Sequence, residues 1–266
     1  MDPVVGNFWS DGEATIHNGD GLAFMRELPA RSVNALVTDP PFFTPATHYQ
    51  SRVSWGRSWG DMSVLGEFFF QFAQEARRVL TADGHLVCFC HDESYPVFYP
   101  VAFGMWEACD CLIWDKTRAG LGRGFRHQYE MILWARDRAA PVVTKGEMHS
   151  DVLRHAPTLT RDRTHPVEKP PALIEELLAV IARPGDVVLD PFMGSGTTLE
   201  AAKRRGCKAV GVEMESRYCE AAADRLDRTR ADERAGQGQL FNIANAALSG
   251  GEAVRSKGIV GREGCQ

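Results

Sequence analysis

Short apolar runs alternate with longer stretches whose apolar residues recur at helical spacing, and this alternation organises most of the chain. The short runs predict strands over Ala14–His17, Ala35–Thr38, His85–Cys90, Cys109–Trp114, Tyr129–Trp134, Val187–Asp190 and Ala209–Glu213. The periodic stretches predict helices over Gly21–Leu28, Val64–Leu80, Tyr95–Trp106, Pro171–Ala182, Thr197–Arg205 and Ser216–Arg230. Strands followed by helices in this order imply an α/β fold, with a mostly parallel sheet covered by helices. Pro170-Pro171 suits a helix start, where a missing N–H costs little. Arg183-Pro184-Gly185-Asp186 reads as the turn that stops one helix and launches the next strand.

Three stretches follow neither period. Phe43–Ser63 is polar and aromatic, with Trp55 and Trp59, and reads as a long mobile loop over a site. Ala140–His165 is irregular. Ala231–Gln266 is rich in Gly and Ala without apolar periodicity and reads as a flexible tail after one domain spanning residues 1–230.

Composition narrows the class without naming a function. The chain has 266 residues, 44% hydrophobic and 24% charged, as in a soluble globular protein. Its apolar runs are all shorter than the ~18–20 residues of a membrane span. The start, Met1-Asp2-Pro3, lacks a basic region followed by an apolar one, so a cytoplasmic location is expected. The seven cysteines are an odd number, against a complete disulfide framework. Cys88, Cys90, His91, Cys109 and Cys111 raise the question of zinc, but Cys-x-Cys is tighter than structural zinc spacing, and the flanks read as strands. Small buried hydrophobes are the expectation, with no metal site. The net charge is −5, yet between Lys116 and Lys169 basic residues outnumber acidic ones eleven to six. A positive face suffices for phosphate binding even on an acidic protein.

Two motifs carry candidate chemistry. Val187-Val188-Leu189-Asp190 reads as a strand buried on both faces and feeds Pro191-Phe192-Met193-Gly194-Ser195-Gly196-Thr197-Thr198. The glycines permit a sharp turn and close approach of a ligand, and the helix that follows offers free N–H groups to an anion. The turn lacks the Gly-Lys-Ser/Thr of a triphosphate loop. Glu213 ends the next strand 23 residues after Asp190, where a carboxylate can accept from both hydroxyls of a ribose. A dinucleotide site or a plain strand–helix turn fits these residues as well. Asp20, after Asn18-Gly19, suits either a helix cap or a cofactor contact.

The second motif is Asp39-Pro40-Pro41-Phe42 at the end of the Ala35–Thr38 strand. An amino group on an aromatic ring is a poor nucleophile because its lone pair is delocalised. Acceptors placed on its two N–H groups favour a pyramidal nitrogen with the lone pair free. Asp39 and the Pro40 carbonyl supply two such acceptors, the Pro-Pro pair stiffens them, and Phe42 offers a stacking face. An Asp-Pro-Pro turn also serves simply to end a strand.

Taken together and in this order, the motifs resemble the beta class of DNA amino-methyltransferases, over about Ile16 to Leu226. The resemblance runs through Asn18-Gly19-Asp20, the segment from Val33 to Phe42, Glu75–Leu80 with Asp83-Gly84-His85, Phe125–Leu133, His165-Pro166-Val167-Glu168-Lys169-Pro170, the Gly-rich turn, and Arg205-Gly206 through Glu213 to Tyr218. It implies a Rossmann-like S-adenosyl-L-methionine (SAM) methyltransferase fold with a seven-stranded sheet, one strand antiparallel, in a circularly permuted motif order. It implies methylation of a flipped base in DNA, with Asp39 in the position typical of adenine-N6 enzymes and Ser typical of cytosine-N4 ones. By the same resemblance Asp39, Pro40, Pro41 and Phe42 hold the base. Asp20, Lys169, Asp190, Phe192, Gly194, Ser195, Gly196, Thr197 and Glu213 lie around the cofactor. Residues 140–164 are then a short target-recognition region. Gln237-Gly238-Gln239-Leu240-Phe241 resembles peptides that dock bacterial sliding clamps. A homodimer is left open.

Overall fold

The computed structural model describes residues 6–41, 62–120, 124–144, 148–158 and 168–229. Phe42, Trp55, Trp59, the tail from 231 and the segment 237–241 lie outside the described residues, as does most of the expected 43–63 loop. In chain order the elements are β1 (Gly6–Ser10), β2 (Ala14–Asn18), α1 (Gly21–Glu27), β3 (Val33–Thr38), α2 (Met62–Val79), β4 (Leu80–Cys90) and α3 (Tyr95–Phe103). There follow β5 (Ala108–Asp115), β6 (Tyr129–Arg136), β7 (Val152–Arg154), α4 (Pro171–Ile181), β8 (Val187–Asp190), α5 (Thr197–Arg204), β9 (Lys208–Glu213) and a last helix, α6, over residues 216–229.

All strands among the described residues join one sheet in the order β1-β2-β9-β8-β3-β4-β6-β5-β7. The resemblance implied seven strands, and the sheet has nine. The two extra are its edges: β1 pairs antiparallel with β2, and β7 pairs parallel with β5. Inside them, β6 runs antiparallel to both neighbours, and the other interior pairings are parallel. The three residues of β7 fall in the stretch that the pattern left irregular. They become a strand because Ile113, Trp114 and Asp115 of β5 stand in register with them.

Alternation along the interior strands sends side chains to two cores. Val37, Val87, Phe89, Ile132 and Val188 pack with Leu173, Leu177 and Ile181 of α4, Leu199 of α5, and Ala222 and Leu226 of α6. Their neighbours in sequence, Leu36, Leu86, Cys88, Leu133 and Leu189, pack on the other face with Phe24 and Met25 of α1, Phe69 and Phe72 of α2, and Phe98 of α3. Fully burying a side chain of this size contributes about 1.5–3 kcal/mol, so the two-sided burial of the central strands anchors the fold. No helix among the described residues is long and apolar enough to cross a membrane.

The sheet places distant motifs side by side. From β8 the chain passes through α5 to β9 on one side, and from β3 through α2 to β4 on the other. β3 and β8 are adjacent, with Leu36 opposite Leu189. A crevice at the carboxyl ends of such a diverging pair is where open α/β sheets bind ligands. Asp39 follows β3, and the Gly-rich turn follows β8.

Candidate active site

The β3 end presents a carboxylate with one oxygen engaged and one bare. Lys169 Nζ donates to Asp39 Oδ2 at 2.6 Å. Asp39 Oδ1 is buried among protein atoms with no hydrogen-bond partner. The same ammonium lies 3.0 Å from Glu130 Oε2, and Lys116 Nζ donates to Glu130 Oε1 at 2.6 Å. The four side chains therefore alternate in sign, Asp39–Lys169–Glu130–Lys116, from the crevice outward to the end of β5. Lys169 is the most deeply buried of them, with its side chain 8% exposed. Burial raises the Asp39 pKa above the usual carboxylate range, Lys169 pulls it back, and Glu130 adds to the rise. For Glu130, burial pushes upward but Lys169 and Lys116 outweigh it, leaving its pKa at about 2. Lys169 is driven above its ordinary value, because Asp39 and Glu130 overcome the burial that opposes its charge.

The β8 end is built around backbone donors. Asp190 is buried and accepts from Thr38 Oγ1 at 2.6 Å and from the Phe192 N–H at 3.1 Å, which ties the two motifs together directly. Burial lifts its pKa to about 6, against the pull of the hydrogen bonds from Thr38 and Thr198. Gly196 caps α5 with φ of 80°, the left-handed region. A Cβ there would meet the Cβ of Ala222 at 2.7 Å, so the turn needs glycine for both conformation and space. The Gly194 N–H donates to Glu213 Oε2 at 3.2 Å, and the Glu215 N–H to Oε1 at 2.8 Å. Burial raises the Glu213 pKa. Ser195 Oγ donates to Glu168 Oε2 at 2.9 Å, and Glu168 is paired with Arg225 at 2.7 Å. Thr197 is buried in the first turn of α5. The Phe192 ring packs against Phe68 and Phe72, each 5.9 Å away between centroids.

Asp20 takes the capping role: its Oδ1 accepts the Ala23 N–H at 2.7 Å. At the same strand end, Asn18 Nδ2 donates to the carbonyls of Glu213 and Met214 at 2.9 and 3.0 Å. The carboxyl ends of β2, β9, β8 and β3 thus bring Asp20, Glu213, the 190–197 turn and Asp39-Pro40-Pro41 to one edge of the sheet. Lys169, expected around the cofactor, stands on the Asp39 side. Of this cluster, Thr38, Glu130 and Glu168 fall within segments that carry the resemblance without being named as site residues, and Lys116 counted only as a basic residue.

Two other expectations meet the structure here. The six cysteines among the described residues are all free, and Cys88, Cys90, Cys207 and Cys219 are buried. Among the described residues the group with metal-ligand geometry, His91, Asp92 and His127, includes no cysteine. The positive stretch from 116 to 169 is partly neutralised internally. Lys116 and Lys169 serve the buried carboxylates, Arg136 pairs with Asp110, and Arg154 with Asp115.

Residues 33–224 match the model of an N6/N4 methyltransferase family described as DNA methylase. The DNA adenine methyltransferase YhdJ of Escherichia coli K12 is 25% identical over 254 residues, covering 83% of this chain and 84% of the relative. The PvuII DNA methyltransferase, described as cytosine-N4-specific, superposes with a TM-score of 0.67 at 18% identity, over 84% of this chain and 90% of that one. The Thermus thermophilus protein TTHA0409, solved in complex with SAM, superposes with a TM-score of 0.62 at 24% identity, over 80% and 93%. These two likenesses establish the fold.

Proposed function

The chain belongs to the DNA methylase family, and we propose that it transfers the methyl group of SAM to the exocyclic N6 of an adenine in DNA. The observation that carries this reading is the unpartnered Oδ1 of Asp39, at the end of the strand adjacent to the one that feeds the glycine turn. A buried acceptor without a donor costs about 1–3 kcal/mol, and a substrate amine removes that cost.

The donor set fits the cofactor. The Gly194–Gly196 backbone and the first turn of α5 offer N–H groups to a carboxylate. The Glu213 carboxylate has lone pairs left for ribose hydroxyls beyond the two N–H groups it already accepts. Asp190 holds the turn through Phe192 and Thr38, and Ser195, Thr197, Phe192 and Asp20 complete its walls. When bound, the cofactor supplies an electrophilic methyl on a sulfonium. Asp39 Oδ1 and the Pro40 carbonyl then accept the two N–H bonds of the target amine, and Pro41 keeps that exit rigid. Phe42 stacks on the ring. A base in duplex DNA leaves its stack for a few kcal/mol, offset by pocket and phosphate contacts.

The motif order, amine-binding before cofactor-binding, corresponds to the permuted beta arrangement. Residues 1–230 form the methyltransferase domain, with target recognition within 140–164, in a protein of the cytoplasm. The assignment to adenine rests on Asp39 and on the Escherichia coli relative; the likeness to a cytosine-N4 enzyme is one of fold. Titration calorimetry with SAM and with NAD tests the cofactor assignment: binding of SAM in the micromolar range is expected, and binding of NAD alone would overturn it.

A further inference from the structure

We propose that Lys169 and Glu130 are positioning residues, which hold Asp39 as a carboxylate with Oδ2 engaged so that Oδ1 alone faces the amine. The inference rests on the methyl-transfer reading and deepens it.

Geometry carries the argument. An ammonium has three N–H donors, and Lys169 directs two of them at carboxylates, 2.6 Å from Asp39 and 3.0 Å from Glu130. Two anchors from different elements fix the nitrogen in space. Glu130 belongs to β6, and Lys169 stands just ahead of α4. The ring of Phe89 closes the site, 5.1 Å from Nζ. Lys116 balances the second carboxylate, so two positive and two negative groups share the cluster. A lone carboxyl buried at this depth would take up a proton, and a protonated Asp39 offers an O–H where the amine requires an acceptor. Lys169 opposes that protonation and also orients the carboxylate. Glu130 acts one step removed: its charge raises the Asp39 pKa directly, while its hydrogen bond keeps Lys169 in place.

These opposed effects separate positioning from mere structural support. The groups facing Asp39 are Lys169 ahead of α4, Glu130 of β6, Lys116 beyond β5, Asp190 of β8, and Cys88 and Cys90 of β4. Lys169→Met leaves the carboxyl buried without its cation, so the acid limb of the methyl-transfer rate moves to higher pH. Glu130→Gln removes a like charge, so its acid limb moves to lower pH, while the plateau falls because Lys169 loses an anchor.

The experiment is single-turnover transfer of tritiated methyl from saturating SAM to unmethylated plasmid DNA by the full chain, between pH 5 and pH 9. Expected are an acid limb at least one pH unit higher and at least a hundredfold slower transfer near neutrality for Lys169→Met, with SAM affinity within threefold of wild type. Lys169→Arg restores most of the rate. Glu130→Gln gives about a tenfold lower plateau with its limb displaced downward. An active wild type whose limb stays in place in Lys169→Met overturns the inference alone. If Lys169→Met fails to bind SAM, Glu130→Gln decides, and an unmoved limb there is equally fatal. A wild type that transfers no label overturns the methyl-transfer reading and this inference with it.

Discussion

Replacing Gly196 by alanine tests how the glycine turn is held. At φ of 80° a side chain sits in the left-handed region, which costs roughly 1–2 kcal/mol for a residue with a Cβ. The new methyl also lands 2.7 Å from the Ala222 Cβ and 3.2 Å from its Cα, so α6 or the turn must give way. Overpacking of that kind costs about 1–3 kcal/mol. Gly196→Ala is therefore expected to destabilise the protein by roughly 2–5 kcal/mol. Gly185→Ala is the matched control, with φ of 91° and nothing within 4 Å of the added Cβ, so it reports the backbone component alone. Urea unfolding followed by circular dichroism gives each value. The double variant Gly196→Ala/Ala222→Gly isolates the collision, because the helix cost of a glycine at 222 appears in both arms of the cycle and cancels. A coupling of about 1–3 kcal/mol is expected. Equal losses in Gly196→Ala and Gly185→Ala, with no coupling to position 222, would refute the packing of the turn on α6.

Two further outcomes follow from buried ionisable groups. Glu130 titrates at about 2 in the fold against an ordinary 4.5, so it contributes stability that is complete above pH 4.5 and drains away as pH falls toward 2. The drop in unfolding free energy between pH 5 and pH 3 should be smaller in Glu130→Gln than in wild type by about 2 kcal/mol; an equal drop contradicts the pairing with Lys169 and Lys116. Burial drives the thiol pKa of Cys88 and Cys90 upward and removes both from solvent. Peptide mapping after brief native iodoacetamide treatment should find both unmodified, with Cys109 or Cys111 labelled first among the six cysteines of the described residues, whereas rapid labelling of Cys88 would contradict the two-sided burial of β4.

The sequence made legible whatever was local. Val187–Asp190 followed by two glycines reads as a strand and a sharp turn because both signals lie within ten residues, and the structure has that strand and a left-handed Gly196 at the start of the next helix. The same holds for the strand that ends at Thr38, just before Asp39. The edges were hidden. β1 and β7 have five and three residues, and β7 exists only through its pairing with β5. β4 begins at Leu80, where helical periodicity carried the expected helix one residue too far, because Leu80 pairs with Val33. The charged cluster was hidden for a different reason. Lys116 and Glu130 read as surface charge in the count between 116 and 169, and Lys169 was expected beside the cofactor, away from Asp39. Only folding, which brings Lys169 to Asp39 across 130 positions of chain, turns them into one linked cluster.

The most direct measurement is nucleoside mass spectrometry of unmethylated DNA incubated with SAM carrying a deuterated methyl, for wild type and for Asp39→Ala shown by calorimetry to retain SAM. Labelled N6-methyladenine is expected from the wild type and none from the variant. Label on cytosine N4, or an Asp39→Ala variant as active as wild type, would contradict the role given to Asp39 and the choice of adenine.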